Sequence, residues 1–181
     1  DRCDAVLVSD YGSGLITPAL VSRLKMKARK SRRQVPILLD TRYGLLRYKG
    51  LTACAPNEAE VENTLGIKIE DNKRVLEKAG KELLARTRMS AVLVTRGSRG
   101  MALFQANRPV ITIPIFGSDE IADVTGAGDT VIATVTLALA AGANFEQAAR
   151  LANYAAGLVV MKRGTSTVDV DELRRALSLD N

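Results

Sequence analysis

Asp129 closes the segment Asp123-Val-Thr-Gly-Ala-Gly-Asp129, and an apolar run over residues 130–141 follows at once. Two glycines and an alanine leave backbone N–H groups uncovered where a helix begins. Unpaired N–H groups and the helix dipole both favour negative charge, so this is an anion site in the making. A carboxylate at the same spot would repel an anionic ligand. It makes sense if Asp129 faces a hydroxyl that attacks a bound phosphoryl group. An aspartate that accepts a proton while backbone amides hold the transferring group is a workable phosphotransfer arrangement. A glycine-rich loop entering an ordinary helix uses the same residue types, and the segment alone leaves both readings open.

Further polar residues fall where apolar strands end: Asp10, Asp40, Asn57 with Glu60, and Thr95. Each alone is an ordinary cap or turn residue. Their recurrence at strand ends matches the rim of an open α/β sheet, where ligands bind.

The elements that must position them alternate between apolar strands and amphipathic helices. Residues 5–9 read as a strand running into the turn-rich 10–14, and Thr17-Pro18 supplies an N-cap with proline at the first helical position. That helix is expected to reach about residue 33. Strands follow at 36–39 and 51–55, then helices at 58–65 and 71–88, the latter with Val75, Ala79, Leu83 and Leu84 on one side. Residues 91–95, 101–104 and 110–115 read as strands around a turn at 96–100. Helices close the chain at 127–141, 145–161 and 170–177. This spacing predicts an α/β domain with a mainly parallel sheet, helices on both faces and antiparallel strands added by the hairpin near Gly97. No repeat, low-complexity tract or linker divides residues 1–181, so one domain is expected.

Composition removes several classes of function. With 181 residues and 46% hydrophobic content, the chain can bury a sizeable core, and its longest apolar stretch is too short to cross a bilayer. No membrane partner is expected. The absence of histidine excludes histidine zinc sites and serine–histidine triads. Cys3 and Cys54 adjoin apolar runs and are expected to be buried free thiols. The net charge of +6 sits largely in residues 23–33. That run reads as a solvated helix face, and with four tyrosines and three phenylalanines for base stacking no nucleic-acid partner is expected. The chain opens without methionine or signal peptide, so a cytoplasmic location and a processed or truncated product are expected.

At residues 123–129 the chain resembles the ribokinase-like, or PfkB, carbohydrate kinases, whose signature is an Asp-x-x-Gly-Ala-Gly-Asp segment. Similarity extends over nearly the whole chain. Within the family it is most similar to the heptose-7-phosphate kinase branch of lipopolysaccharide biosynthesis, on Ser9-Asp-Tyr-Gly-Ser-Gly14, Thr95-Arg-Gly-Ser-Arg-Gly-Met101, 123–132 and Lys162-Arg-Gly-Thr-Ser-Thr-Val168. The resemblance implies a three-layer fold and an ATP-dependent, magnesium-assisted transferase. In it Asp129 is the base, and Gly126, Ala127 and Gly128 form the anion hole. Asn57 and Glu60 match the family's Asn-x-x-Glu motif, which helps place magnesium and the phosphates. Thr95, Gly97, Ser98 and Gly100 match the turn along the nucleotide, and Asn153 and Gly157 match the adenine pocket. Asp123, with the loop near Gly164, matches the place where some relatives hold a monovalent cation.

Two departures bear on the acceptor. Thr41, Arg42 and an apparent insertion at Tyr43 stand where the branch carries proline and lysine, and Ser13 replaces a usual lysine. What resembles the family is its C-terminal part. The N-terminal strands, most sugar-binding residues and the β lid are not matched, nor is the adenylyltransferase domain that follows the kinase in that branch. The resemblance therefore implies a missing N-terminal half as partner, whether from the same natural chain or a separate one, and weak activity for this piece alone. The alternatives are a kinase of the same fold for another sugar or nucleoside, and a nucleotide-binding module without catalysis.

Overall fold

The carboxyl ends of four parallel strands converge on one rim of the molecule, and that rim carries the polar residues singled out above. The coordinates are a computed structural model describing residues 3–31, 33–117 and 123–179. Asp1, Arg2 and Arg32, the last within the basic run, lie outside the described residues. Six strands form one sheet in sequential order: β1 (Val6–Asp10), β2 (Ile37–Thr41), β3 (Ala53–Cys54), β4 (Ala91–Thr95), β5 (Met101–Gln105) and β6 (Ile111–Ile113). The pairs β1–β2, β2–β3 and β3–β4 are parallel, whereas β4–β5 and β5–β6 are antiparallel, as the hairpin near Gly97 predicted.

Successive side chains of a strand point to opposite faces, and here both faces are covered. Leu39, Val92 and Val94 meet α1 (Pro18–Arg29), α2 (Glu58–Leu65) and α3 (Lys73–Thr87) through Val21, Val61, Leu76 and Leu83. Their neighbours Leu38, Ala91 and Leu93 meet α4 (Ala127–Ala140) and α5 (Phe145–Val160) through Val131, Ile132, Val135 and Ala149. A last helix, α6 (Val170–Leu179), packs against α5. The result is the expected three-layer fold with a mainly parallel sheet. Among the described residues β1 pairs only with β2, which leaves its outer edge open and Leu7 exposed.

Three expectations need correction. Helix α1 stops at Arg29 rather than near residue 33: Val21, Leu24 and Ala28 pack on the core, and Lys30 and Ser31 beyond them are exposed. Strand β3 is two residues long, not five: the Thr52 hydroxyl takes the Ile37 N–H and the Thr52 carbonyl takes those of Ser90 and Ala91. Cys54 is buried, and burial pushes its thiol up to about 12, but Cys3 is exposed ahead of β1. Among the described residues no helix is long and apolar enough to cross a membrane.

Candidate active site

Helix α4 begins without a side-chain cap. Its N-cap is Gly126, at φ +81°, and no side chain bonds the first-turn amides. Thr130 turns both its N–H and its hydroxyl onto the Gly126 carbonyl, and the Ala127 N–H reaches Val124 O at 3.2 Å. The Gly128 position is open, with no atom within 4 Å of where a Cβ would sit. Exposed N–H groups at the positive end of a helix dipole thus face free space. Asp129 lies in this first turn, exposed. Its Oδ1 accepts a hydrogen bond of 3.1 Å from the Tyr11 hydroxyl. Sequence reasoning missed Tyr11 as a site residue; its one signal was its place directly after rim residue Asp10.

The carboxylates on this rim feel one another. Burial and the charge of Asp129 raise the Asp40 carboxyl above its ordinary value, while Arg42 opposes them. Burial raises Glu60 likewise, helped by Asp40. Arg42 in turn sits 5.6 Å from the centre of the Tyr11 ring. Asp10 has a different role. It is buried, accepts from the Tyr48 hydroxyl and the Gly12 N–H, and so anchors the turn that delivers Tyr11.

Asn57 and Glu60 form a reciprocal cap on α2: Asn57 Oδ1 accepts from the Glu60 N–H at 2.8 Å, and Glu60 Oε2 from the Asn57 N–H at 2.9 Å. The Asn-x-x-Glu spacing is thus also a capping box. Among the described residues no three acidic, cysteine or histidine side chains cluster tightly enough to enclose a metal. Magnesium does not ask for such a cage, since it keeps waters and takes one or two carboxylates plus phosphate oxygens. Two crowded carboxyls, Asp40 and Glu60, fit that partial ligand set. At Asp123 both oxygens are engaged, Oδ1 by the Thr125 N–H and Oδ2 by the Gly164 N–H, so a cation there would share them.

A cavity of about 390 Å³ adjoins the start of α4 and the cap of α2, while Gly126, Asp129, Glu60 and Asp123 lie outside its lining. Asn57, Thr95, Gly97, Gly100, Ala127, Gly128, Asn153 and Gly157 all line it, with Met101, Val124, Val131 and Val160 among its apolar wall. Eight residues selected for nucleotide, phosphate or metal contact therefore share one space, although they come from four separate stretches of chain. Ser98 is exposed on its turn and does not line the cavity. Gly157 and Asn153 also hold the wall together. A Cβ at Gly157 would stand 2.4 Å from Phe116 O, and Asn153 donates to Pro114 O at 2.9 Å. The apolar wall escaped sequence reasoning because Met101 and Val131 look like any core residue.

Fold and site together define a three-layer α/β protein with a ligand cavity at the carboxyl ends of its strands and an open helix N-terminus at the cavity wall. The chain belongs to the pfkB family of carbohydrate kinases, whose pattern it matches over residues 16–172. It is 41% identical, over its whole length, to the bifunctional protein HldE of Geobacter sulfurreducens, and 43% identical over 97% of its length to that of Coxiella burnetii. It spans about a third of those relatives, 36% of each. Among solved structures, ribokinase from Arabidopsis thaliana complexed with ribose and ATP superposes with a TM-score of 0.80 at 26% identity, over 97% of this chain and 56% of that one. Ribokinase from Giardia lamblia gives 0.83 at 21% identity, over 99% and 61%, a likeness of fold.

Proposed function

We propose that this chain carries the nucleotide site and phosphoryl-transfer centre of an ATP-dependent carbohydrate kinase. The observation that carries the reading is the shared cavity, which brings Asn57, the turn after β4, and α5 against the uncapped start of α4. The apolar wall and Gly157 receive the adenine, and the turn at 97–100 runs beside the phosphates. The first-turn amides after Gly126 hold the oxygens of the group in transit. Asp129 takes the proton from the attacking hydroxyl, and the Tyr11 hydroxyl orients its carboxylate. Magnesium, held through Glu60 with Asn57 and neighboured by Asp40, would offset charge on the phosphates.

The acceptor we favour is heptose 7-phosphate, phosphorylated to heptose 1,7-bisphosphate. Support comes from the heptose-branch resemblance at residues 162–168 and from full-length alignment with HldE proteins. Arg42, exposed beside Tyr11 and Asp40, is placed to meet the acceptor's own phosphate. Because the chain spans 36% of these relatives, catalysis is expected to need the part of the kinase it does not span.

The test is ADP production from ATP with magnesium and heptose 7-phosphate, measured for this chain alone and with the N-terminal part of a relative added. Sugar-dependent turnover supports the reading. ADP binding without turnover under either condition would leave a nucleotide-binding module, and no ADP binding at all would overturn the site.

A further inference from the structure

The turn at 96–100 has no cap of its own. It is a single 3₁₀ turn, Gly97–Arg99, with no side-chain hydrogen bond at its N-terminus and glycines at positive φ at both ends. Its backbone closes through the Arg96 N–H on Gly100 O at 2.9 Å, and a turn of this kind keeps its place over a neighbouring element only if something outside it holds it there. One largely buried carboxylate ties it to α2. Glu58, at the first position of α2, accepts from Arg96 Nε through Oε2 at 2.7 Å and from Arg99 Nη2 through Oε1 at 2.6 Å. The Glu58 and Arg96 side chains are 12% and 7% exposed, so this pair is shielded from water and salt. Arg99 spreads its other arm to Asp71 Oδ1 at 2.6 Å and Glu70 O at 2.8 Å, on the exposed outside. On the inner side, the Thr95 N–H bonds to Pro56 O, and Asn57 bridges Thr95 in parallel register.

Both arginines therefore converge on a residue sandwiched between Asn57 and Glu60, and their turn presents Gly97 and Gly100 to the cavity. Resting on the nucleotide reading above, we infer that Glu58 is a positioning residue. Through Arg96 and Arg99 it sets the height of the 96–100 turn over the nucleotide and ties that turn to the capping box at the proposed metal position. It touches no substrate itself. An interaction that serves only folding would act on stability alone, whereas one that holds a binding wall in place also acts on affinity.

The experiment is calorimetric titration of the 181-residue chain with ADP, alongside melting temperature and amide hydrogen exchange. The parent is compared with Glu58→Gln, Asp71→Asn and Val75→Ala. Glu58→Gln is expected to weaken ADP binding roughly 10-fold, as small misplacements of a site do, and to speed exchange at residues 97–101 selectively. Asp71→Asn removes only the exposed arm and is expected to leave affinity within about twofold, in keeping with the small worth of surface pairs. Val75→Ala lowers melting temperature through the core and is expected to spare affinity. Should Glu58→Gln fail to fold, Arg99→Met cuts one arm and is expected to give a smaller loss in the same direction. ADP affinity in Glu58→Gln equal to the parent's, or a loss matched by Val75→Ala, overturns the inference and leaves the nucleotide site standing. No ADP binding by the parent overturns both.

Discussion

Replacing Tyr48 by Phe tests how the fold holds the turn that carries Tyr11. The Tyr48 hydroxyl donates to Asp10 Oδ2 at 2.5 Å, and the two residues are 1% and 4% exposed. Phenylalanine fills the same space without the oxygen, so the substitution isolates one hydrogen bond to a buried carboxylate. Such bonds contribute about 1.5–3 kcal/mol. Asp10 keeps its Gly12 N–H on the other oxygen, so about 2 kcal/mol is expected here. For a chain of this size that is a fall in Tm of about 4–8 °C at pH 7. The pH dependence supplies the sharper check. The bond from Tyr48, more than any other influence, holds the Asp10 carboxyl below its ordinary value of 3.8. A depressed carboxyl contributes stability that is present above the unfolded value and lost as pH falls through the folded one. The gap between parent and variant should therefore be full at neutral pH and close below the unfolded value of 3.8. On the alkaline side burial and Asp10 push the Tyr48 hydroxyl from 10.0 up to about 12, so the parent alone should lose stability across that interval. Thermal unfolding followed by circular dichroism from pH 3 to 11 reads all of this. A gap under about 1 °C at pH 7, or one as wide at pH 3 as at pH 7, would refute the assignment of this bond.

Three further outcomes are expected. Asp129→Asn should cut sugar-dependent turnover by about 100-fold or more while sparing ADP affinity, the worth of a positioned base; near-normal turnover in the folded variant would remove Asp129 from that role. Gly157→Ala would set a methyl 2.4 Å from Phe116 O. Overpacking costs about 1–3 kcal/mol and the gain in helix propensity returns about 1, so melting should fall by a few degrees and ADP affinity with it; an unchanged or higher Tm would contradict the close approach. Asp40, whose carboxyl is raised by burial and by Asp129, opposes folding once ionised. Asp40→Asn should then raise Tm at pH 7, with the gain vanishing below the unfolded value of 3.8, and should weaken stabilisation by magnesium; a gain that persists in acid would speak against electrostatic crowding.

Much of the architecture was legible in the chain because its signals are local. The continuous apolar run through residues 91–95 and the Thr17-Pro18 start each follow from chemistry within a few residues, and so does the reciprocal pair Asn57 and Glu60. Helix ends governed by distant packing were less legible. The basic run looks helical to residue 33, yet nothing in its own spacing says that its packing on the core ends at Ala28. Four of the stretches that line the cavity could be selected one by one from motif resemblance, but their common space is a property of topology alone.

The sequence by itself determined the family, the strand–helix alternation and the identity of the loop that opens α4, since glycine spacing and carboxylate placement are written in neighbouring residues. Only the tertiary structure decided that Tyr11 meets Asp129 across 118 positions and that Asp40 and Glu60 crowd one another. The same holds for Glu58, which receives both Arg96 and Arg99 of the 96–100 turn. Hydrogen bonds act over about 3 Å and charge–charge effects over about 10 Å at roughly 0.1 M salt, so which groups share them depends on where the sheet brings its strand ends, not on their order along the chain.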